Sequence, residues 1–190
     1  MASPPLSLAL LFAVIAVMAA AADTAPADDD DIGNNSADLI AAACNRTQYY
    51  DVCVSSLTPR VGATRGGVDL RGLAAISIGA GVAHAKATMS YARSLRKQKG
   101  FATDAYVSGC LGDCLEEYGD AVDSLHRSTA ALRRGSYEKV NELVSGAMTN
   151  SDTCEGAFAD KPGLHSPLTE RNEYFFKLCS NSIAITSLLG

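Results

Sequence analysis

The sequence predicts an all-α fold: an up-down-up-down four-helix bundle with an N-terminal helical hairpin, stapled by disulfides. Three observations predict it. Apolar residues recur at steps of three and four through four long segments, no window alternates apolar with polar residues as a strand does, and the links between segments are short. Short links cannot cross the length of a bundle, so consecutive helices run antiparallel.

Taken in order, residues 1–22 read as a signal peptide, a charge-free apolar run from Leu6 that ends on Ala20, Ala21 and Ala22 in an A-x-A cleavage pattern. The rival, a membrane anchor, would be followed by a basic stop-transfer flank, and none follows. Residues 23–35 read as a disordered acidic tail, since Asp23 and Asp28, Asp29, Asp30 and Asp31 repel one another with nothing to bury. The folded domain then covers 36–190, with the hairpin at 36–60 and the bundle at 66–190. Ser36 is positioned to cap a short helix over 37–43, residues 49–57 return along it, and Thr58-Pro59 with the glycines up to Gly67 interrupt the chain.

In the first bundle helix, Leu73, Ile76, Ala80, Ala83 and Ala87 keep to one face. The helix runs to Lys99, with Arg93, Arg96, Lys97 and Lys99 complementing the macrodipole before Gly100 stops it. The second carries Val107, Leu111, Leu115, Tyr118, Val122, Leu125 and Leu132 on one stripe, interrupted by Thr129, and ends before Gly135. Ser136 is the expected N-cap of the third, whose apolar face is Val140, Leu143, Ala147, Cys154 and Phe158. After Lys161-Pro162-Gly163, Ser166-Pro167 opens the fourth, with Phe175, Leu178, Ser182, Ile185 and Leu189 on its buried stripe.

Composition excludes several classes. With 47% apolar and 19% charged residues the 190-residue chain can bury a core. The net charge of -5 comes from the tail: its five aspartates removed, 16 acids face 16 bases. Without basic excess and with no Trp, nucleic acid is not an expected partner. Two N-x-[ST] sequons, at Asn34 and Asn45, are glycosylation candidates in a secreted chain.

Six cysteines in a secreted chain imply disulfides. Cys44 and Cys53 are close enough to staple the hairpin, and Cys114 and Cys154 fall at ends of antiparallel helices that meet. Cys110 and Cys179 form either a third bridge or two buried thiols. Cys110-x-x-x-Cys114 has no second pair or His at ligand spacing, so no metal is expected. No cofactor motif is present. His84, His126 and His165 have no neighbouring nucleophile, and no G-x-S-x-G, P-loop or H-E-x-x-H occurs, so an enzyme is not expected. His84 reads as a packed residue. Asp113, Glu116, Asp120 and Asp123 do stand out, at steps of three, four and three in one acidic stripe of the second bundle helix. The stripe is either a solvated face or a surface for a protein partner.

Four strings in order carry a resemblance: Cys44-x-x-Thr47-x-Tyr49-x-x-x-Cys53-Val54; Cys114-Leu115-x-x-Tyr118-x-Asp120-Ala121-Val122-x-x-Leu125; Ser145-x-Ala147-Met148-Thr149-x-x-x-Thr153-Cys154-x-x-x-Phe158; and Asn181-Ser182-Ile183-Ala184-Ile185. From about Ala42 to Gly190 the chain resembles the plant invertase and pectin methylesterase inhibitor family, most of all its pollen-allergen-like, invertase-inhibitor-like branch. The resemblance implies bridges Cys44 to Cys53 and Cys114 to Cys154, with Cys110 and Cys179 outside the minimal pattern. It implies a monomeric, stoichiometric protein inhibitor in the cell wall or vacuole, without cofactor, bound 1:1 to a pectin methylesterase or an acid invertase, and off the membrane once the signal is cleaved. Invertase-directed members carry Pro-Lys-Phe near the start of the third bundle helix, where this chain has Ser136-Tyr137-Glu138-Lys139. Esterase-directed members present acidic and polar residues of the second and third bundle helices, and Glu116, Asp120, Asp123, Asn141 and Thr153 occupy matching places. The esterase reading is preferred; the invertase reading and a non-catalytic ligand-binding bundle are the alternatives.

Overall fold

In the computed structural model residues 29–64 and 66–190 are described, so the signal-peptide reading lies outside the described residues. Seven helices follow one another: α1 (Asp29–Cys44), α2 (Tyr50–Val61), α3 (Leu70–Leu95), the single turn α4 (Lys99–Ala102), α5 (Ala105–Arg133), α6 (Tyr137–Ala159) and α7 (Thr169–Thr186). No strand occurs among the described residues. The four long helices after the hairpin form a ring in which α3 neighbours α5, α5 neighbours α6, α6 neighbours α7, and α7 closes on α3.

Cross-contacts give the directions. Gly81 meets Leu125 while Arg96 meets Gly112, so α3 and α5 run antiparallel. Cys114–Cys154 and Glu117–Asn150 do the same for α5 and α6, as do Asn172–Glu155 and Asn141–Ser187 for α6 and α7. Ser77–Ser182 and His84–Arg171 complete the alternation between α7 and α3. This is the expected up-down-up-down bundle, and α1 and α2 pack as a hairpin against α3 and α7.

Local chemistry sets the helix ends. Asp69 caps α3 by accepting from the Gly72 N–H at 2.7 Å, and Asp104 caps α5 by accepting from Tyr106 and Val107 at 3.0 and 3.2 Å. These N–H groups, with Lys161 beside them, hold the Asp104 carboxyl below the usual carboxylate range. Gly135 ends α5 at φ +71°, and the following Ser136 N–H reaches back to the Ala131 carbonyl at 3.0 Å, a Schellman closure.

Several boundaries differ from expectation. The first helix starts at Asp29, seven residues before Ser36, so residues 29–35 of the acidic tail are helical. α2 continues through Pro59 to the buried Val61. The carbonyl that Pro59 leaves without a partner belongs to the exposed Ser55, and the next, that of Ser56, accepts from Arg60 Nη1 at 2.5 Å. α3 ends at Leu95, and Gly100 lies inside α4. Ser136 holds the N-cap position of α6 without a side-chain cap bond. Ser166-Pro167 forms a turn before α7, with Ser166 Oγ accepting from the Leu168 N–H at 3.1 Å, so the helix opens at Thr169.

The core faces of α5, α6 and α7 match the predicted stripes, although Leu115, Val122, Thr129 and Leu189 are only half-buried. α3 is rotated relative to its predicted stripe. Ala83 and Ala87 are exposed, and the buried line runs Leu73, Ser77, Gly81, Ala85, Thr88, Ala92 and Leu95. Polar and side-chain-free residues on that line explain the error. The Ser77 and Ser182 hydroxyls bond across the core at 2.7 Å, and a Cβ at Gly81 would stand 3.2 Å from Leu125 Cδ1, so glycine lets α3 approach α5 closely.

The bridges Cys44–Cys53 and Cys114–Cys154 are both present. The third bridge is not: Cys110 and Cys179 are separate buried thiols. α5 and α7 run parallel, and Tyr118 of α5 is level with Asn172 of α7 through a 2.8 Å hydrogen bond. Cys110 precedes Tyr118 by eight residues and Cys179 follows Asn172 by seven, which separates the thiols by about 22 Å along the bundle, beyond disulfide reach. Burial pushes the Cys179 thiol well above its ordinary value, so it packs as a small apolar group.

Candidate functional site

The apolar face of α5 turns Leu111, Tyr118 and Leu125 into the core, so residues on the opposite side of the helix must face solvent. Asp113, Glu116, Asp120 and Asp123 do so, all four exposed along about 15 Å of helix. Among the described residues no Lys, Arg or His lies within 4.0 Å of any of them; the ion pairs formed are Lys139–Glu142, Lys161–Asp104 and Lys177–Glu173. The stripe is therefore, among the described residues, a run of carboxylates outside any ion pair, on a disulfide-tied helix.

The fifth acid of this segment, Glu117, lies one residue off the stripe and turns to α6, where it accepts from Asn150 Nδ2 at 2.6 Å. Thr153, three residues after Asn150, is on the same side of α6 and exposed, its hydroxyl donating to the Thr149 carbonyl at 3.0 Å. Its neighbour Cys154 is bridged to Cys114, next to Asp113. The structure thus brings Glu116, Asp120, Asp123 and Thr153 to the α5 side of the bundle.

Asn141 does not join them. It is twelve residues before Thr153, about 18 Å along α6 and a third of a turn round, and its Nδ2 donates to Ser187 Oγ of α7 at 3.2 Å. The segment 136–139 is also engaged within the fold. The Tyr137 hydroxyl accepts from Arg71 Nη2 at 2.7 Å, its ring abuts Gly190, and Lys139 pairs with Glu142 at 2.7 Å.

A concavity that the sequence did not announce lies along the α6–α7 seam, a cleft of 370 Å³ edged by Tyr49, Glu155, Asn172 and Phe176. Both oxygens of Glu155 are taken, by Asn172 Nδ2 at 2.6 Å and Thr169 Oγ1 at 2.5 Å, and Asn172 in turn accepts from the Tyr118 hydroxyl at 2.8 Å. Removal from water pushes that hydroxyl well above its ordinary value and keeps it a donor. This chain clamps α5, α6 and α7 together. Only the tertiary structure shows it, because no motif or spacing in the sequence links Tyr118, Glu155 and Asn172. Among the described residues no three His, Cys, Asp or Glu side chains converge as metal ligands, and no helix is long and apolar enough to cross a membrane.

His84 packs on Tyr174 and Phe175, and its Nε2 pairs with the Arg171 carbonyl at 3.0 Å. Burial holds it below the usual value of 6.5, and the Arg171 guanidinium adds to this while the carbonyl bond opposes it. The unfolded chain therefore takes up the proton more readily than the fold. Stability is highest above pH 6.5, falls as the pH drops through 6.5, and levels off below the folded value. His84→Gln is expected to flatten that part of a plot of denaturation midpoint against pH.

Residues 38–185 match the family described as plant invertase/pectin methylesterase inhibitor. A Platanus acerifolia protein named "Putative invertase inhibitor" is 32% identical over 82% of this chain and 87% of its own length. An Actinidia deliciosa protein named pectinesterase inhibitor is 33% identical over 80% of this chain and 79% of its own. A crystal structure of a mutant form of a pectin methylesterase inhibitor from Arabidopsis is similar in fold, with a TM-score of 0.65, 20% identity and coverage of 80% of this chain and 97% of that one. Family match, relatives and shared bundle agree: this chain belongs to the plant invertase/pectin methylesterase inhibitor family.

Proposed function

We propose that this chain is a secreted, non-catalytic inhibitor that binds pectin methylesterase as a monomer in a 1:1 complex in the cell wall, laying the outer face of α5 over the entrance of the enzyme's cleft. One observation carries the choice of target: the stripe Glu116, Asp120 and Asp123, beside Thr153, is exposed and outside the ion pairs formed among the described residues. A cleft that accepts a polyanionic substrate presents cationic and polar groups at its rim, and a rigid row of carboxylates matches them without any chemistry. The relatives named pectinesterase inhibitor, from Actinidia deliciosa and Oryza sativa, support this reading.

A second reading, inhibition of an acid invertase in the cell wall or vacuole, is favoured by the Platanus relative and by an Arabidopsis thaliana relative named cell wall / vacuolar inhibitor of fructosidase 2, 30% identical over 73% of this chain. Against it, Tyr137 and Lys139 are held by Arg71 and Glu142, which leaves Ser136 and Glu138 as the exposed side chains of that segment without such a partner among the described residues. Titrating the purified chain against both enzymes decides between them. Esterase activity should fall to near zero at equimolar inhibitor while sucrose hydrolysis by invertase continues; the converse result selects the second reading.

A further inference from the structure

Of the two sequons, Asn45-Arg46-Thr47 and Asn34-Asn35-Ser36, the first lies wholly among residues whose side chains the structure describes. Asn45 lies outside the helix. Backbone bonds from the N–H groups of Asn45, Arg46 and Thr47 to the carbonyls of Ala41, Ala43 and Cys44 wind residues 44–47 into a turn. Thr47 Oγ1 donates to the Cys44 carbonyl at 2.8 Å, and the Asn45 side chain is exposed and makes no hydrogen bond among the described residues. Cys44–Cys53 closes this loop at its base.

We propose that Asn45 is an N-glycosylation site and that the glycan stands on the hairpin tip. In the transfer, the Asn45 amide nitrogen bonds to the anomeric carbon of a lipid-pyrophosphate-linked oligosaccharide. The donor's C–O bond to its carrier breaks, the pyrophosphate leaves with the electron pair, and the amide gives one proton to a base. The placement has a consequence for docking. α1 and α2 pack on α3 and α7, so a glycan at Asn45 projects on the side of the bundle away from the α5 stripe and leaves that stripe open. It also stands on the link that leads into Tyr50, the first residue of α2 and one of the large apolar side chains left exposed among the described residues, at 42%. A sugar there would shield that ring from water and from other chains.

The site does not depend on which enzyme is inhibited, and the test keeps the two apart. The full chain is expressed in a eukaryotic secretory host, and secreted material is mapped by peptide mass spectrometry after a glycan-releasing amidase (peptide N-glycosidase) that hydrolyses a glycosylated Asn to Asp. Conversion at Asn45 is expected, lost in Asn45→Gln and in Thr47→Ala but kept in Thr47→Ser and in Asn34→Gln. Circular dichroism and non-reducing mapping confirm that the Asn45→Gln chain folds with both bridges. An unconverted Asn45 in secreted wild-type chain overturns the assignment. Inhibition of whichever enzyme the wild type inhibits should change by less than about two-fold in Asn45→Gln; a loss of ten-fold or more overturns the placement of the glycan away from the docking face.

Discussion

Reversing Asp120 and Asp123 together to Lys is expected to weaken inhibition of pectin methylesterase by about ten- to a hundred-fold, roughly 1.4 to 2.8 kcal/mol of binding. Helical circular dichroism and melting temperature should be nearly unchanged, because both side chains are exposed and neither is in an ion pair. Long-range charge acts mostly on encounter, so the loss should appear largely in the association rate and shrink as salt rises. The Debye length falls from about 10 Å at 0.1 M to about 3 Å at 1 M, and wild-type affinity should fall over the same range. The structure supplies an internal control. Glu117 is also acidic and only three residues from Asp120, but it is spent on Asn150, so Glu117→Gln should leave the salt dependence intact. If the double reversal leaves esterase inhibition untouched, the stripe is a solvated face and the proposed docking surface is wrong.

The second large effect is on stability. Replacing Cys114 and Cys154 by Ala frees a loop of 40 residues in the unfolded chain, worth about 4 kcal/mol in the chain-entropy account. For a domain of this size that is a fall of roughly 8–16 °C in melting temperature. The bridge has a second role in the fold, since Cys154 Sγ lies 3.6 Å from Asn172 Nδ2, at the centre of the clamp joining Tyr118, Asn172 and Glu155. Removing Cys44–Cys53, whose partners are only nine residues apart, should cost less, about 3 kcal/mol, and loosen mainly α1 against α2. Thermal melts of the two double variants, followed by far-ultraviolet circular dichroism, test the ranking. Equal losses would show that the long loop is held mainly by packing.

The candidate site was more legible than the core beside it. Asp113, Glu116, Asp120 and Asp123 form a stripe by spacing alone, and an amphipathic helix leaves such a stripe one place to go. Placing Asn141 with them could not be settled the same way. Which neighbour a side chain on the flank of α6 meets depends on whether α5 or α7 lies on that flank, and Asn141 meets Ser187. Likewise the pattern of apolar residues aimed α3 along Ala83 and Ala87, because a count of apolar residues passes over Ser77, Gly81 and Thr88. Two of them, Ser77 and Gly81, are buried for reasons outside α3: a hydroxyl partner on α7 and the nearness of Leu125.

By itself the sequence determined the four bundle helices, their antiparallel order, the partners Cys44–Cys53 and Cys114–Cys154, and the exposed acid row on α5. Each follows from local periodicity or from short links that leave the chain no other route. The tertiary structure alone decided the rotation of α3, the 22 Å offset, about fifteen residues of rise, that keeps Cys110 and Cys179 apart, the clamp at Glu155, and the turning of Asn141 toward α7. These depend on how helices lie side by side, where a small side chain, a buried hydroxyl or an axial offset outweighs hydrophobicity, and no single helix carries that information in its own pattern.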